Sequence, residues 1–98
     1  MYLRISTARF PNQTKADAWI ALYKNTVLEK LEKNTRLKNI KIFSSGEGKV
    51  TGIATYNSFD EYKLTEKTIK AELNALLKSL DGNIEWQEEN VIVNWKRL

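Results

Sequence analysis

A strand that runs directly into a capped helix, between Lys49 and Tyr62, is the feature that most restricts the fold of this chain. Residues from Lys49 to Tyr56 are mostly of the β-branched and aromatic types that favour strands. The Ser58 hydroxyl can accept a hydrogen bond from the backbone N–H of Glu61, while the Glu61 carboxylate can accept one from the N–H of Ser58. This capping box predicts a helix that begins at once after the strand.

A glycine-containing turn precedes this strand and predicts a β-hairpin. Gly46 and Gly48 flank Glu47, and glycine readily adopts the positive φ that tight hairpin turns require. Residues 37–44 should therefore form a strand antiparallel to residues 49–56. The turn explains both glycines, so a phosphate-binding role for them is disfavoured.

Hydrophobic spacing predicts a strand and a helix before the hairpin. Residues 2–10 alternate as a strand does. Thr14 followed by Asp17 resembles a second capping box and predicts a helix over residues 15–34. The apolar face of that helix is wide enough to cover a sheet, and it comprises Ala16, Trp19, Ile20, Tyr23, Val27 and Leu31.

A second helix and a last strand complete the predicted domain. The second helix should end at Asp81-Gly82, since its apolar residues fall in one stripe up to that stop. These residues are Tyr62, Thr65, Ile69, Leu73, Leu76, Leu77 and Leu80. The tail contains two apolar segments, residues 84–87 and 91–96, and we expect the second to be the stronger strand because both of its faces are apolar or bulky.

The element order predicts one α+β domain over residues 1–98, with two helices on one face of a four-stranded antiparallel sheet. Val91, Val93 and Trp95 would share one face of the last strand and Ile92 the other, so that strand needs cover on both sides. Burying the open sheet face against a second copy would remove apolar surface from water. We therefore expect a homodimer that packs sheet to sheet.

Composition excludes several classes of function. The 98 residues contain no histidine and no cysteine, so imidazole and thiolate ligands are absent. Aspartates and glutamates form no ligand-spaced cluster, and we predict neither a metal nor a cofactor. The net charge of +4 comes from interleaved charges, which favours a solvated surface. Met1 leads directly into a strand and no apolar run could span a membrane, so we expect a cytoplasmic protein.

The element order and the residues Tyr56, Ser58, Glu61 and Tyr62 resemble the dimeric α/β-barrel superfamily, which includes the antibiotic biosynthesis monooxygenase-like domains. The resemblance covers nearly the whole chain. It implies a ferredoxin-like βαββαβ protomer, a homodimer whose sheets form a barrel, and a cavity between sheet and helices. Members include cofactor-free oxygenases and haem-degrading enzymes. The histidines that haem-degrading relatives use are missing here, and no matched residue supports oxygenase activity, so whether the chain is an enzyme stays open.

Polar and aromatic side chains could line such a cavity and bind a small apolar or aromatic molecule. The candidates are Arg4, Tyr23, Tyr56, Trp86, Asn94 and Trp95. They offer hydrogen bonds and a positive charge but no obvious general base. Tyr23 could equally be a core residue, and Trp86 and Trp95 could anchor the dimer.

The same element order also occurs in the RNA-recognition motif. That motif stacks bases on aromatic rings at alternate positions of its third strand, and those positions hold Thr51 and Ile53 here. Nucleic-acid binding is therefore disfavoured but remains the alternative. An enzyme, a small-molecule binder and a purely structural dimer remain as the other readings.

Overall fold

The computed structural model describes all 98 residues and has the predicted order of strands and helices. The strands are β1 (Tyr2–Arg9), β2 (Asn39–Gly46), β3 (Lys49–Tyr56) and β4 (Asn83–Asn90), and the helices are α1 (Gln13–Leu22), α2 (Leu28–Asn34), α3 (Phe59–Lys63) and α4 (Glu66–Lys78). They form one four-stranded sheet in the order β2-β3-β1-β4 with every neighbour antiparallel. The predicted ferredoxin-like α+β fold is confirmed.

The first helical region (α1 and α2) and the second (α3 and α4) form one layer that covers a single face of the sheet. Helix α1 lies against β3 and α4 against β4. The alternation of β3 is clean, with Val50, Ala54 and Tyr56 buried beneath the helices. Near the centre of the sheet the helix-facing residues are small, since Ser6 of β1 lies opposite Gly52 of β3. Small residues there leave space for longer side chains that reach in from the flanks.

The first helix is continuous over residues 13–34 but contains a π-helical segment, Tyr23–Val27, between α1 and α2. Its buried residues Trp19, Tyr23, Val27 and Leu31 recur every four positions. In a regular α-helix this spacing drifts by about 40° per step. The wider π turn, closed by the Leu28 N–H donating to the Tyr23 carbonyl, takes up an extra residue and so returns the stripe to the sheet.

The start of the first helix differs from the prediction. Asn12, not Thr14, is the N-cap, and its side-chain oxygen accepts from the Lys15 N–H at 2.9 Å. Asp17 instead accepts a hydrogen bond from the Gln13 side chain at 2.9 Å. Asparagine is among the best N-cap residues, and here it caps the helix two residues earlier than the capping-box pattern indicated.

The predicted cap of the second helical region is confirmed in one half only. The Ser58 hydroxyl accepts from the Glu61 N–H at 3.2 Å. The Glu61 carboxylate does not return the bond, and its Oε2 is buried without a partner. The helix also breaks between α3 and α4, and α4 buries Ile69, Leu73 and Leu77 against the sheet.

The last strand is the main error of the sequence prediction. Strand β4 is Asn83–Asn90, not residues 91–96, and the tail after it is exposed. The register explains this result, because β4 pairs with β1 and Tyr2 lies opposite Asn90. Beyond that pair the Val91 N–H donates to the carbonyl of Met1, the residue before β1, at 3.0 Å. An apolar pattern cannot add a strand to a sheet beyond the point where its neighbouring strand ends.

The second face of the sheet has no helix over it. Leu3 and Ile5 of β1 and Ile53 of β3 lie there, beside Phe43 of β2, which is 45% exposed. The edge strand β4 contributes Glu85 and other polar side chains to that face. No helix of the chain is long and apolar enough to cross a membrane.

Candidate ligand-binding site

The centre of the candidate site is a buried arginine. Arg4 lies in the middle of β1 on the helix-facing side and is only 2% exposed. Its Nε and Nη1 atoms are enclosed and have no hydrogen-bond partner in the protein. Burying an ionised group without a partner is costly, on the order of several kcal/mol. We therefore expect this arginine to destabilise the unliganded protein.

Three aromatic side chains surround this guanidinium, and we call Arg4, Tyr23, Tyr56 and Trp86 the Arg4 cluster. The Arg4 Cζ atom lies 5.5 Å from the Trp86 ring centre, within the range of a cation–π interaction. Burial raises the pKa of both Tyr23 and Tyr56, and the nearby positive charge of Arg4 offsets part of each rise. Both tyrosines consequently stay protonated, and the Tyr56 hydroxyl is itself buried without a partner.

The carboxylate nearest along the sheet does not neutralise Arg4. Glu88 is the direct cross-strand neighbour of Arg4. Its Oε1 instead accepts from Lys70 at 3.0 Å and from the Tyr62 hydroxyl. Burial and the bond to Glu88 raise the pKa of Tyr62, which keeps that hydroxyl a donor.

An ion-pair chain then extends from Glu88 onto the start of α4. Lys70 also donates to Glu66 at 3.1 Å, and Lys63 donates to Glu66 at 2.6 Å. Hydrogen bonds from Lys63 and Lys70 lower the pKa of Glu66 to about 2. The charges around Arg4 are thus paired with one another, and Arg4 belongs to none of these pairs.

Tyrosine rings packed at a tilt to one another close one end of the Arg4 cluster. The Tyr62 ring centre is 5.2 Å from that of Tyr56 and 5.2 Å from that of Tyr2. Tyr2 also meets Phe59 edge-on at 5.2 Å. These contacts form a second, aromatic core next to the main one. This second core borders Arg4 on one side, while the paired charges of Glu88 and Lys70 border it on another.

A cleft of about 390 Å³ opens between the first helix and α4. This volume is within the usual range for small-molecule sites. Its walls are residues of the first helix and of α4, namely Thr26, Val27, Lys30, Leu31, Asn34, Thr35, Thr65, Thr68, Ile69, Glu72, Leu73, Ala75 and Leu76. The Thr65 hydroxyl in it is buried and unpartnered. Thr35 lies close enough to the Tyr56 hydroxyl to act on its pKa, so the cleft approaches the Arg4 cluster.

The structure brings together part of the predicted set. Arg4, Tyr23 and Tyr56 are buried under the helices, and Trp86 lies beside Arg4. Asn94 and Trp95 are not in the interior, because both belong to the exposed tail, where Trp95 is 73% exposed. Their placement as cavity residues is wrong, and it followed from assigning the last strand to residues 91–96. None of the six residues lines the cleft itself.

Sequence reasoning missed three polar residues next to the Arg4 cluster. Glu88 lies two positions after Trp86 on the same face of β4 and was detectable only once that strand was assigned correctly. Lys70 and Glu66 lie on adjacent turns of α4, and their pattern along the sequence indicated only an ordinary solvent-exposed helix face. The fold brings together no cluster of acidic residues that could hold a metal ion.

Comparison with known proteins is informative at the level of structure. No family model matches the sequence, and neither does any curated protein. A dimeric ferredoxin-like protein from an uncultured marine organism superposes with a TM-score of 0.76 at 15% identity, over 99% of this chain and 100% of that one. The monooxygenase from the gene ActVA-Orf6 of Streptomyces coelicolor, solved in complex with Nanaomycin D, gives 0.70 at 16% identity, over 97% and 92%.

A third structure, of a proposed antibiotic biosynthesis monooxygenase from Deinococcus radiodurans, gives a TM-score of 0.75 at 9% identity, over 100% of this chain and 99% of that one. The resemblance predicted from Tyr56, Ser58, Glu61 and Tyr62 is therefore confirmed for the fold. At these identities the likeness establishes the fold and leaves the activity open.

Proposed function

We propose that this protein is a homodimer whose protomers each bind a small apolar or aromatic molecule in the interior between the sheet and the helices. The observation that carries the proposal is the buried Arg4 guanidinium, whose Nε and Nη1 lack a partner. Proteins normally pair buried charges. An unpaired cation among aromatic side chains, close to a cleft, is the arrangement expected of a site whose partner is a ligand.

The cleft between the helices supports the proposal because Thr35 in its wall lies next to Tyr56 of the Arg4 cluster. Its walls include Leu31, Ile69 and Leu73, and its unpartnered Thr65 hydroxyl could accept or donate one hydrogen bond. A ligand that enters there would meet Tyr56 before Arg4. Oxygenase activity is not part of this proposal, because both nearby carboxylates are already bonded, Glu88 to Lys70 and Tyr62 and Glu66 to Lys63 and Lys70.

The open sheet face supports the homodimer. Leu3, Ile5, Ile53 and Phe43 form an apolar strip that no helix covers. The tail adds exposed apolar residues, of which Ile92 is 93% exposed. Two of the matched structures are described as dimeric ferredoxin-like proteins. A second copy that covered this face would remove the strip from water.

Nucleic-acid binding is not favoured as a second function. Thr51 and Ile53 occupy the open face, where an RNA-binding sheet would need aromatic rings. Tyr2, the one aromatic residue of β1, is buried on the opposite face. The only ring exposed on the open face is that of Phe43.

Ligand binding is tested by following tryptophan fluorescence and melting temperature across a panel of small aromatic compounds. Thr68→Trp, at the exposed rim of the cleft, should weaken binding of any compound that enters there. Asn74→Trp, exposed on the same helix but outside the cleft, is the matched control and should bind normally. A panel without a binder, or equal binding by both variants, would contradict the proposed site.

Light scattering at low and at high salt tests the assembly. An apolar sheet-to-sheet interface predicts a dimer mass that salt does not reduce, because screening weakens exposed charge pairs and not apolar burial. A monomer at both salt concentrations would remove the dimer from the proposal and leave the ligand site to be judged by the binding experiment.

A further inference from the structure

We infer that the molecule bound beside Arg4 is a small aromatic monoanion, a carboxylate whose charged group pairs with the Arg4 guanidinium. This inference rests on the proposed binding function and adds to it the charge and chemical class of the ligand.

The balance of charge in the interior carries the first step. Arg4 is 2% exposed and its Nε and Nη1 atoms have no partner. Of the other charged groups near it, Lys70 is bonded to both Glu66 and Glu88. The site therefore holds one unmatched positive charge. A neutral ligand would leave it unmatched, and a dianion would bring a second negative charge beside Arg4, where Lys63 and Lys70 are already paired with Glu66 and Glu88.

The geometry of the available donors carries the second step. On the edge of the guanidinium that carries the free Nε, two parallel N–H donors match the two coplanar oxygens of a carboxylate. The buried Tyr56 hydroxyl lacks a partner and can donate a further hydrogen bond. A carboxylate can accept from both groups at once, whereas a halide or a single phenolate oxygen would satisfy fewer of these donors.

The surroundings of Arg4 favour an aromatic body on that carboxylate. The Trp86 ring lies 5.5 Å from the Arg4 Cζ atom, and the Tyr23 side chain is buried beside the same charge. Flat aromatic groups pack against such rings in stacked or edge-on arrangements. The cleft of about 390 Å³ would accept a compound of one to a few fused rings.

The test compares three ligands that share a naphthyl ring and differ in the polar group attached to it: naphthoate, its neutral amide naphthamide, and naphthyl phosphate. Isothermal titration calorimetry near neutral pH should give a dissociation constant for naphthoate at least about tenfold lower than that for naphthamide, because a charge-assisted hydrogen bond is about twice as strong as a neutral one. Naphthyl phosphate, a dianion at that pH, should bind more weakly than naphthoate.

Two variants assign the difference to Arg4. Arg4→Met should abolish the preference for naphthoate over naphthamide, and Arg4→Lys, which keeps the charge without the fork, should restore part of it. Arg9→Met is the matched control, since Arg9 lies on the same strand but is exposed and paired with Glu85. It should bind all three ligands as the unmodified protein does.

The outcomes separate this inference from the proposed function. Equal affinity for acid and amide would overturn the inference while leaving a binding site in place, and so would tighter binding of the phosphate or an unchanged preference in Arg4→Met. Binding of none of the three would overturn the proposed function together with it. If Arg4→Met fails to fold, the comparison of acid with amide on the unmodified protein still decides.

Discussion

Arg4 and Glu88 are opposed residues on neighbouring strands, yet no ion pair joins them. Opposite charges at such positions ordinarily attract one another across a sheet. Here the Glu88 carboxylate is bonded elsewhere, because Lys70 of α4 donates to its Oε1 at 3.0 Å and the Tyr62 hydroxyl donates to the same oxygen. The arginine is left as the unmatched member, and the most distinctive chemistry of the molecule follows from that competition.

Arg4→Met should make the unliganded protein more stable, by about 1–2 kcal/mol in free energy of unfolding. The substitution removes a buried, unpaired charge and keeps a flexible apolar chain of similar length. Urea unfolding measures the change. Arg9→Met, which removes only an exposed ion pair, should alter stability by less than about 0.5 kcal/mol. A large loss of stability in Arg4→Met would mean that the guanidinium is paired in solution.

Glu66→Gln should destabilise the protein at neutral pH, and the effect should fade in acid. The pKa of Glu66 is lowered to about 2 in the fold, so its ionised form stabilises the native state above the unfolded pKa near 4.5. That stabilisation is lost as pH falls from there towards 2. We expect about 1–2 kcal/mol at pH 7, since Lys63 is half exposed, and less than half of it at pH 3.

Urea unfolding of Glu66→Gln and of the unmodified protein at both pH values checks this expectation. Glu72→Gln, on the same helix and outside every ion pair, is the control and should show no such pH dependence. A difference in stability that stayed constant from pH 7 to pH 3 would contradict the assignment to Glu66.

Phe43→Asp should convert the proposed dimer to monomer. Phe43 projects from the uncovered sheet face, and a carboxylate there would be buried without a partner in a sheet-to-sheet interface. Sedimentation velocity reports the mass of each variant. Leu64→Asp places the same charge on a more exposed residue, between α3 and α4, and should remain dimeric. Dissociation of both variants, or of neither, would argue against this interface.

Gly48→Ala should destabilise the hairpin by about 1–3 kcal/mol. Gly48 has a φ of +68°, and a Cβ atom there would lie 2.8 Å from the Phe10 carbonyl oxygen, a backbone atom that cannot move freely. Glu47→Ala, in the same turn but exposed, should change the melting temperature little. Equal melting temperatures for the two variants would show that the turn can relax.

The centre of the fold could be predicted from sequence because its signals are local. The turn at Gly46 and Gly48 and the cap at Ser58 depend only on residues next to them along the chain. The last strand could not be predicted in this way, because its position depends on where β1 begins. Tyr2 pairs with Asn90, which leaves no partner on β1 for residues 91–96. Exposed glutamates then occupy an edge strand that the apolar pattern alone would not select.

The sequence could predict which residue types make up the candidate site, but it could not predict whether Arg4 there is paired with a carboxylate. Parity along β1 and β3 is enough to direct Arg4 and Tyr56 beneath the helices. Whether Arg4 has an ion-pair partner depends on whether Glu88 bonds to Arg4 or to Lys70. These three residues belong to three different elements of the fold. The pairing of Glu88 is determined by the tertiary structure, and the spacing of residues along a single strand or helix cannot predict it.

The π turn at Tyr23–Val27 has a consequence for how the gene of this protein can change. Deleting one codon there would turn the wide turn into a regular one and keep Trp19 in the core, because the π turn already holds one residue more than a regular turn. Deleting a second codon would rotate everything upstream by about 100° about the helix axis and turn Trp19 out of the core. Deletion of Asn25 alone should accordingly leave the protein folded by circular dichroism, whereas deletion of Lys24 together with Asn25 should unfold it. The helix can therefore lose one codon at this segment but not two.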